Sequence, residues 1–483
     1  MTLNIVNKTV RAIGLAAALL VPSTCFAQQA AMIESIAQRG DETWEAAQKI
    51  WAWAEPGYQE SKSSALLSGL LEKHGFSVER GVADIPTAFI ATYGSEPPVI
   101  GILGEFDALP GLSQQPVPYR EPRDETTYGH ACGHHLFGAA SASAAIAVME
   151  QIRSGAVKGT VCYYGCPAEE GGSGKVFMVR AGLFKRCHAV LHWHPSSHNS
   201  AGDRTTLARM AVKFRFRGRA AHAAGAPEQG RSALDAVELT NFAAQLLREH
   251  TPETTRIHHV ITAGGDAPNV VPEFSEVYYY IRHPDSQVLR PLYDRLILCA
   301  RAGALATQTK LDINFEGGIL NILPNNALAQ VATANLKELN DLEYSAEEIE
   351  FALKIQETLS KPKSLDSLKK VVDRSGTIGK GSTDVGDVSW VVPTTGFTTS
   401  CWVPGTPGHS WQAVAAGGTG IARKGMNLAA RVLASTAWDL YSQPNVLEEA
   451  RKELDRRLTS RKYESLMQPG QKPAFDYRRP PKK

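Results

Sequence analysis

Three short apolar runs, separated by helix-forming stretches, limit the fold of this chain more than any other feature. Residues 98–104 (PVIGILG) read as a buried strand that breaks at Glu105-Phe-Asp-Ala-Leu-Pro110. Residues 136–152 are a helix rich in Ala and Ser, which permits close packing, and residues 160–166 (TVCYYGC) and 189–193 (AVLHW) are further strands. Runs that are apolar throughout, with no alternation, mark strands covered on both faces. Strand, helix and strand at this spacing predict an α/β sandwich around a largely parallel sheet.

The pattern changes near Ala208. Val212, Phe214 and Phe216 alternate with Lys213, Arg215 and Arg217, which is a strand with one wet face. A helix over 232–250, strands over 256–261 and 276–281, and a helix over about 285–306 complete a β-α-β-β-α block. This is a self-contained α+β unit inserted into the larger one. The α/β pattern resumes near residue 321 and ends in a long helix around 422–440; residues 343–380 are polar, helix-prone and peripheral. Helices are expected over 32–53 and 66–74 as well. The division that follows is a larger unit over 28–206 and 319–445, a smaller unit inserted over 207–318 and a basic tail over 446–483.

Lys8 and Arg11 precede an uncharged apolar run over 12–21, and Cys25-Phe26-Ala27 offers a small-residue cleavage site. This reads as a signal peptide removed near Ala27, so the protein is expected to be exported, periplasmic or secreted. The run is too short to span a bilayer, and no later segment can. A formal charge of +2 excludes a strongly basic nucleic-acid binder. Residues 451–483 alone carry +7, leaving −5 on the rest. That tail either touches an anionic membrane surface or is a solvated terminus, and the second reading is favoured. The cysteines beyond Cys25 are too dispersed for a disulfide framework, and Cys162 and Cys166 stand too far apart along one strand to pair.

Metal-capable residues are densest in Gly129-His-Ala-Cys-Gly-His-His135. Thiolate and imidazole suit zinc and related divalent ions, and Cys132 and His134 have a spacing that lets both reach one ion. Three further candidates follow strand ends: Glu169-Glu170 between Pro167 and two glycines, His194 in His-Trp-His-Pro, and His409 in Pro404-Gly-Thr-Pro-Gly-His-Ser-Trp. Neighbouring residues of an extended chain point oppositely, so one glutamate can bind metal while the other faces water. Cys132, His134, Glu170, His194 and His409 make an ordinary ligand set for one or two divalent ions.

The strings GEFDALPGLSQ, GHACGHHLFGAA, YGCPAEEGGSGKVFMVRAGLF, WHP, AAHAAGAPEQGRSALDAV, PNVVP, STDVGDVSW and GTPGHSWQ resemble the metal-dependent amidohydrolase branch of the aminoacylase and carboxypeptidase (peptidase M20) superfamily, over residues 40–440. The resemblance implies a catalytic domain made of 28–206 and 319–445, a lid or dimerisation domain over 207–318, and two divalent ions, Zn2+ or Mn2+, held by Cys132, His134, Glu170, His194 and His409, with Cys132 bridging. It implies Glu169 as general base and Asp107 as an acid supporting a ligand. His222 would be the lid histidine that stabilises the oxyanion, commonly in a partner's site, and Asn269 and Arg282 would hold the substrate carboxylate. His135 stands where the family keeps Asp or Asn, which could alter the surroundings of the ligands.

The expected reaction is hydrolysis of the amide bond of an N-acyl amino acid, with p-aminobenzoyl-glutamate or a related aromatic acyl-glutamate favoured. The alternatives are a broader aminoacylase, carboxypeptidase or amide-detoxifying hydrolase, and a non-catalytic subunit that keeps the fold. The small-molecule substrate would be joined by a protein partner, as a homodimer or heterodimer through the lid, and by no nucleic acid.

Overall fold

The computed structural model describes residues 23–478. Of the expected leader, residues 1–22 lie outside the described residues, as do residues 479–483 of the tail.

The chain begins with α1 (Ser23–Gln38), α2 (Gly40–Trp53) and α3 (Ser61–Lys73), followed by β1 (Ser77–Arg80), β2 (Phe89–Tyr93) and β3 (Val99–Glu105). The one helix expected over 32–53 is two. They break where the Arg39 guanidinium is drawn to Glu150 at 2.6 Å and Gly40 weakens helix propensity. A hairpin of β4 (Leu109–Pro110) and β5 (Tyr128–Gly129) leads to α4 (His134–Arg153). Then come β6 (Thr160–Cys166), α5 (Gly174–Arg180), β7 (Ala189–Ser196) and β8 (Asn199–Ala201). After the inserted unit the chain returns through α8 (Asn326–Leu339), α9 (Ala346–Glu357), β13 (Val371–Asp373), α10 (Val385–Ser389) and β14 (Thr394–Ser400). It closes with α11 (Trp411–Gly417), α12 (Gly420–Ser442) and α13 (Pro444–Leu458).

The large sheet has the order β1-β2-β6-β3-β7-β14-β8-β13. Its centre, β6-β3-β7-β14, is parallel, and antiparallel pairs lie outside it, where β2 meets both β1 and β6 and where β14 meets β8. Parallel strands need covering on both faces, and α4 supplies one cover, buried from His134 to Met149 between β3 and helices α2 and α12. Small residues are required there: a Cβ on Gly138 would come within 2.8 Å of the Glu105 carbonyl oxygen. The carboxyl ends of the parallel strands therefore share one edge, the place where such sheets bind ligands.

The inserted unit consists of β9 (Ala208–Arg217), α6 (Ala233–Arg248), β10 (Arg256–Ala263), β11 (Phe274–His283), α7 (Ser286–Thr307) and β12 (Lys310–Ile319), with sheet order β10-β11-β9-β12. Ser232 and Asp285 cap α6 and α7 by accepting from Asp235 N and Gln287 N. Both helices cover the face formed by Val212, Phe214, Phe216, Val277, Tyr279 and Ile281. Strand β12 is an addition to the expected block, although Leu311, Ile313 and Phe315 alternate with Asp312, Asn314 and Glu316. The sheet's other face carries Arg209, Lys213, Tyr278, Tyr280 and Arg282.

The C-terminal segment departs from the solvated terminus expected of it. α13 buries Leu447, Ala450 and Leu454, and the chain then runs back along the molecule. Arg461 pairs with Asp285 at 3.1 Å, and the Tyr463 hydroxyl donates to Asp387 at 3.1 Å. Leu466 sits on the bare backbone of Gly318, where a Cβ would lie 2.6 Å from it. Phe475 and Tyr477 pack edge-on against Tyr58, with ring centroids 5.3 and 5.8 Å away. The segment's charge conceals a minority of apolar residues that have partners far away in sequence. Among the described residues no helix is long and apolar enough to cross a membrane.

Candidate metal centre

The sequence candidates gather at the carboxyl edge of the parallel strands. Asp107 follows β3, Glu169 and Glu170 follow β6, His194 lies within β7, and His409 is in the loop after β14. Cys132 and His134 bracket Gly133 at the start of α4. Gly133 has φ of 77°, and a Cβ there would meet Pro195 at 2.6 Å, so only glycine lets this turn reach β7. The approach sets Cys132 Sγ 3.3 Å from His194 Nε2. Ala168, Ser173 and His409 all have positive φ, at 57°, 60° and 56°. Backbone strain of this kind on side-chain-bearing residues is held in place by surrounding structure and clusters at functional sites.

Three groups have ligand atoms within 4.8 Å of one another: Cys132 with His134 and His194, Cys132 with Glu170 and His409, and Glu105 with His134 and Glu169. Cys132 belongs to two of them. Asp107 ties two of the elements together: its Oδ1 lies 2.8 Å from His134 Nδ1, and its Oδ2 accepts from Glu170 N at 2.9 Å. An imidazole held through one nitrogen by a carboxylate presents the other in a fixed direction. That second nitrogen, Nε2, lies 3.1 Å from Glu105 Oε2, and His409 Nε2 lies 3.2 Å from Glu170 Oε1. Neither contact has hydrogen-bonding geometry, so His134 Nε2 and Glu170 Oε1 are buried and unpartnered. Buried polar atoms rarely remain so without a partner, and thiol, imidazole and carboxylate donors at these separations fit divalent ions.

The electrostatics divide the two glutamates. Burial would raise Glu170, but the imidazoles of His409 and His134 hold it down at about 2. Burial together with the carboxylates of Glu105, Glu170 and Asp384 pushes Glu169 well above the usual carboxylate range. Paired groups pushed apart in this way commonly take different roles. Behind them lies a buried network that sequence reasoning misses: Lys175 Nζ is 2.6 Å from Glu105 Oε1 and 2.8 Å from Asp384 Oδ1. Asp384 and Lys175 stand inside the quoted strings, but nothing local distinguishes them from surface charges.

The other candidates lie apart. His135 turns toward α11, with its Nε2 3.0 Å from the Gly417 carbonyl and its ring beside His130, so it does not join the ligand surroundings expected of it. The reason is helical geometry: successive residues of α4 point about 100° apart. His222 and Asn269 are exposed on the inserted unit. The His222 ring accepts from Gly225 N at 3.0 Å, and the Asn269 carbonyl accepts from Ala223 N. Arg282 lies on the face of the inserted sheet away from α6 and α7, where Nη1 donates to Ser382 Oγ at 3.3 Å. It stands directly opposite Arg209 in the β9–β11 register, and Arg209, on the face expected to be wet, is only 7% exposed.

Comparison with known proteins agrees with this architecture. Residues 206–301 match the peptidase dimerisation domain of the M20 type. The chain is 41% identical over 436 residues to one of the subunits of p-aminobenzoyl-glutamate hydrolase from Escherichia coli, covering 84% of this chain and 90% of that protein. It is 32% identical over 424 residues to the mouse Xaa-Arg dipeptidase, covering 85% and 88%. Among solved structures it resembles a dinuclear metal-binding peptidase of the M20 family from Bacillus subtilis, with a TM-score of 0.58 at 15% identity, over 84% of this chain and 99% of that one. The chain belongs to the M20 family of peptidases and amidohydrolases. It is a hydrolase of amide bonds built on a mostly parallel sheet, and it carries the family's dimerisation domain.

Proposed function

We propose that this chain hydrolyses the amide bond of N-acyl amino acids using divalent metal ions, two in each copy of the chain. The observation that carries the reading is the convergence of Cys132, His134, Glu170, His194 and His409, with Cys132 common to two ligand groups and Glu169 beside them. These five residues would hold the ions, Zn2+ or Mn2+, which when bound supply Lewis acidity for the hydrolysis. Glu169, beside these donors, takes the proton of the attacking water and returns it to the departing amine nitrogen. Asp107 fixes the His134 ring. Arg282 orients the substrate carboxylate through charge-assisted hydrogen bonds.

The acyl-glutamate named by the Escherichia coli relative suits this site better than the cationic side chain named by the mouse relative. Arg209 and Arg282 lie side by side, and no carboxylate pairs with either among the described residues. They favour an anionic amino-acid half.

His222 and Asn269 are unconnected to their own chain's cluster and would act across a dimer. The apolar side chains of Phe242, Leu246, Val260 and Ile261, exposed on α6 and the edge strand β10, offer the surface for a second copy or for a related chain. Export through the leader-like residues 1–27 completes the proposal. N-terminal sequencing of the mature protein from a periplasmic fraction should give a start near Gln28, and an intact Met1 would exclude export.

The central test is Glu169→Gln in metal-reconstituted protein assayed with p-aminobenzoyl-glutamate. Its metal content should match wild type while turnover falls roughly 100- to 10,000-fold, the usual weight of a general base. Near-normal turnover would remove Glu169 from the chemistry.

A further inference from the structure

Around Arg209 the open face of the lid sheet is covered, while Arg217 at the far end of β9 faces solvent. The C-terminal segment and the Glu170 loop close over it and leave a cleft of about 170 Å³, lined from three directions. The lid contributes Arg209, Lys213 and Tyr280, the catalytic part contributes Gly171, and the C-terminal segment contributes Tyr477 and Arg478. Among the described residues the only acid in the lining is Glu316, which already has Lys213 at 3.6 Å and accepts from Asn314 Nδ2 at 2.6 Å.

The arginines here lack the partners their burial demands. Arg209 is only 7% exposed, and its Nε has no hydrogen-bond acceptor. The Nε atoms of Arg282 and Arg478 are likewise buried and unpartnered. Arg209 and Arg282 are cross-strand neighbours, an arrangement of like charges that is ordinarily unfavourable. The Tyr280 ring lies under both guanidinium groups, at 4.7 and 5.4 Å, which offsets part of the repulsion but supplies no acceptor for their N–H groups. A buried guanidinium with free donors is a site prepared for an anion, and the planar fork matches a carboxylate.

The cleft also borders the loop that carries Glu170. Arg478 Nη2 donates to the Glu170 carbonyl at 2.6 Å, and the Tyr477 hydroxyl donates to the same oxygen at 3.1 Å. Gly171, the residue after Glu170, is already part of the lining. Room for this contact is provided by Gly57, where a Cβ would lie 2.2 Å from the Tyr477 hydroxyl.

Resting on the proposed hydrolysis of N-acyl amino acids, we infer that Arg209 and Arg478 form a second carboxylate subsite, completed by the C-terminal segment, that recognises the side-chain carboxylate of an acidic amino-acid half. The substrate class is thereby an N-acyl dicarboxylic amino acid, with Arg282 and the Arg209–Arg478 pair taking different carboxylates. Arg478 has a further effect: by binding the Glu170 carbonyl it couples subsite occupancy to the loop that bears a candidate ligand.

The test uses the full chain and two ligands that differ only in side-chain charge, p-aminobenzoyl-L-glutamate and p-aminobenzoyl-L-glutamine. Each is titrated calorimetrically into metal-reconstituted Glu169→Gln protein, and kcat/KM is measured for both with otherwise wild-type protein. The glutamate ligand should bind at least roughly tenfold more tightly than the glutamine ligand, as expected for charge-assisted hydrogen bonds. Arg209→Gln and Arg478→Gln should each cut that ratio several-fold through the glutamate ligand's affinity, and Arg209→Lys should retain part of it. A purely structural role would weaken both ligands alike and leave the ratio unchanged. A ratio near one in the parent protein, or a ratio unmoved in both Gln variants, overturns the subsite. The two proposals fail separately: charge-selective binding without turnover of any N-acyl amino acid would sink the reaction and leave the subsite, while equal turnover of both ligands would do the reverse.

Discussion

Replacing Lys175 by Met should destabilise the protein by about 3–5 kcal/mol, the cost of breaking a buried ion pair from one side. Lys175 is fully buried, with its ammonium 2.6 Å from Glu105 and 2.8 Å from Asp384, and its own backbone N–H donates to the second Asp384 oxygen at 2.9 Å. Burial works against its charge, but Asp384 and Glu105 hold its pKa well above the usual range. At an effective dielectric of about 20, each contact is worth roughly 6 kcal/mol of Coulomb attraction. Most of that gain is offset by the cost of desolvating three ions, so the smaller figure is the one expected to appear. Methionine fills much of the same aliphatic volume, which keeps the cavity contribution small. Metal-free protein should be unfolded in urea and followed by far-UV circular dichroism, because a bound ion would add its own stabilisation. The midpoint should fall with little change in slope. Lys175→Met combined with Asp384→Asn should recover a good part of the loss, since one of the two stranded charges disappears. A single variant within about 1 kcal/mol of wild type, well under the cost of an unpaired buried charge, would refute the reasoning, as would a double variant no better than the single one.

Cys132→Ser should lose most of the bound divalent metal at neutral pH, because a hydroxyl is a far poorer ligand than a thiolate; metal analysis after dialysis checks this, and full retention would remove the thiol from the ligand set. Arg282→Ala should raise KM for carboxylate substrates with a smaller change in kcat, and an unchanged KM would take it out of the site. Asp387, pushed up to about 7 by burial, is protonated in the folded state at pH values where it is ionised when unfolded. Stability should therefore fall as pH rises from about 4 to about 7 and level off above. Asp387→Asn should flatten that profile in thermal melts of metal-free protein, and an equally steep profile would assign the proton to another group.

Much of the architecture is legible in sequence because its causes are local. Strands covered on both faces must be apolar throughout, which is why residues 160–166 can be bounded as a strand directly. The inserted unit is visible because the period changes to two at Val212, Phe214 and Phe216. Thiol and imidazole crowded between glycines at 129–135 are rare enough to mark metal-capable chemistry without a structure.

What escapes the sequence depends on contacts between distant residues. The alternation in β9 correctly separates Arg209 from the apolar face, but strand periodicity cannot tell a wet face from one covered by another part of the chain. The same limit applies to residues 459–478, whose positive charge suggests a solvated end while Leu466, Tyr463 and Tyr477 find partners at Gly318, Asp387 and Glu170. Nor does anything local foretell that His135 bonds the Gly417 carbonyl while its neighbour His134 joins the cluster, since the outcome depends on which helix packs beside α4. By itself, the sequence determined which residues could form strands, helices and ligands, because propensity, periodicity and donor chemistry are properties of short segments. Tertiary packing alone buries particular charges, leaves certain arginines without a partner and brings Tyr477 and Arg478 to the metal-capable cluster. Burial is a property of everything that packs against a residue, and those neighbours come from hundreds of positions away.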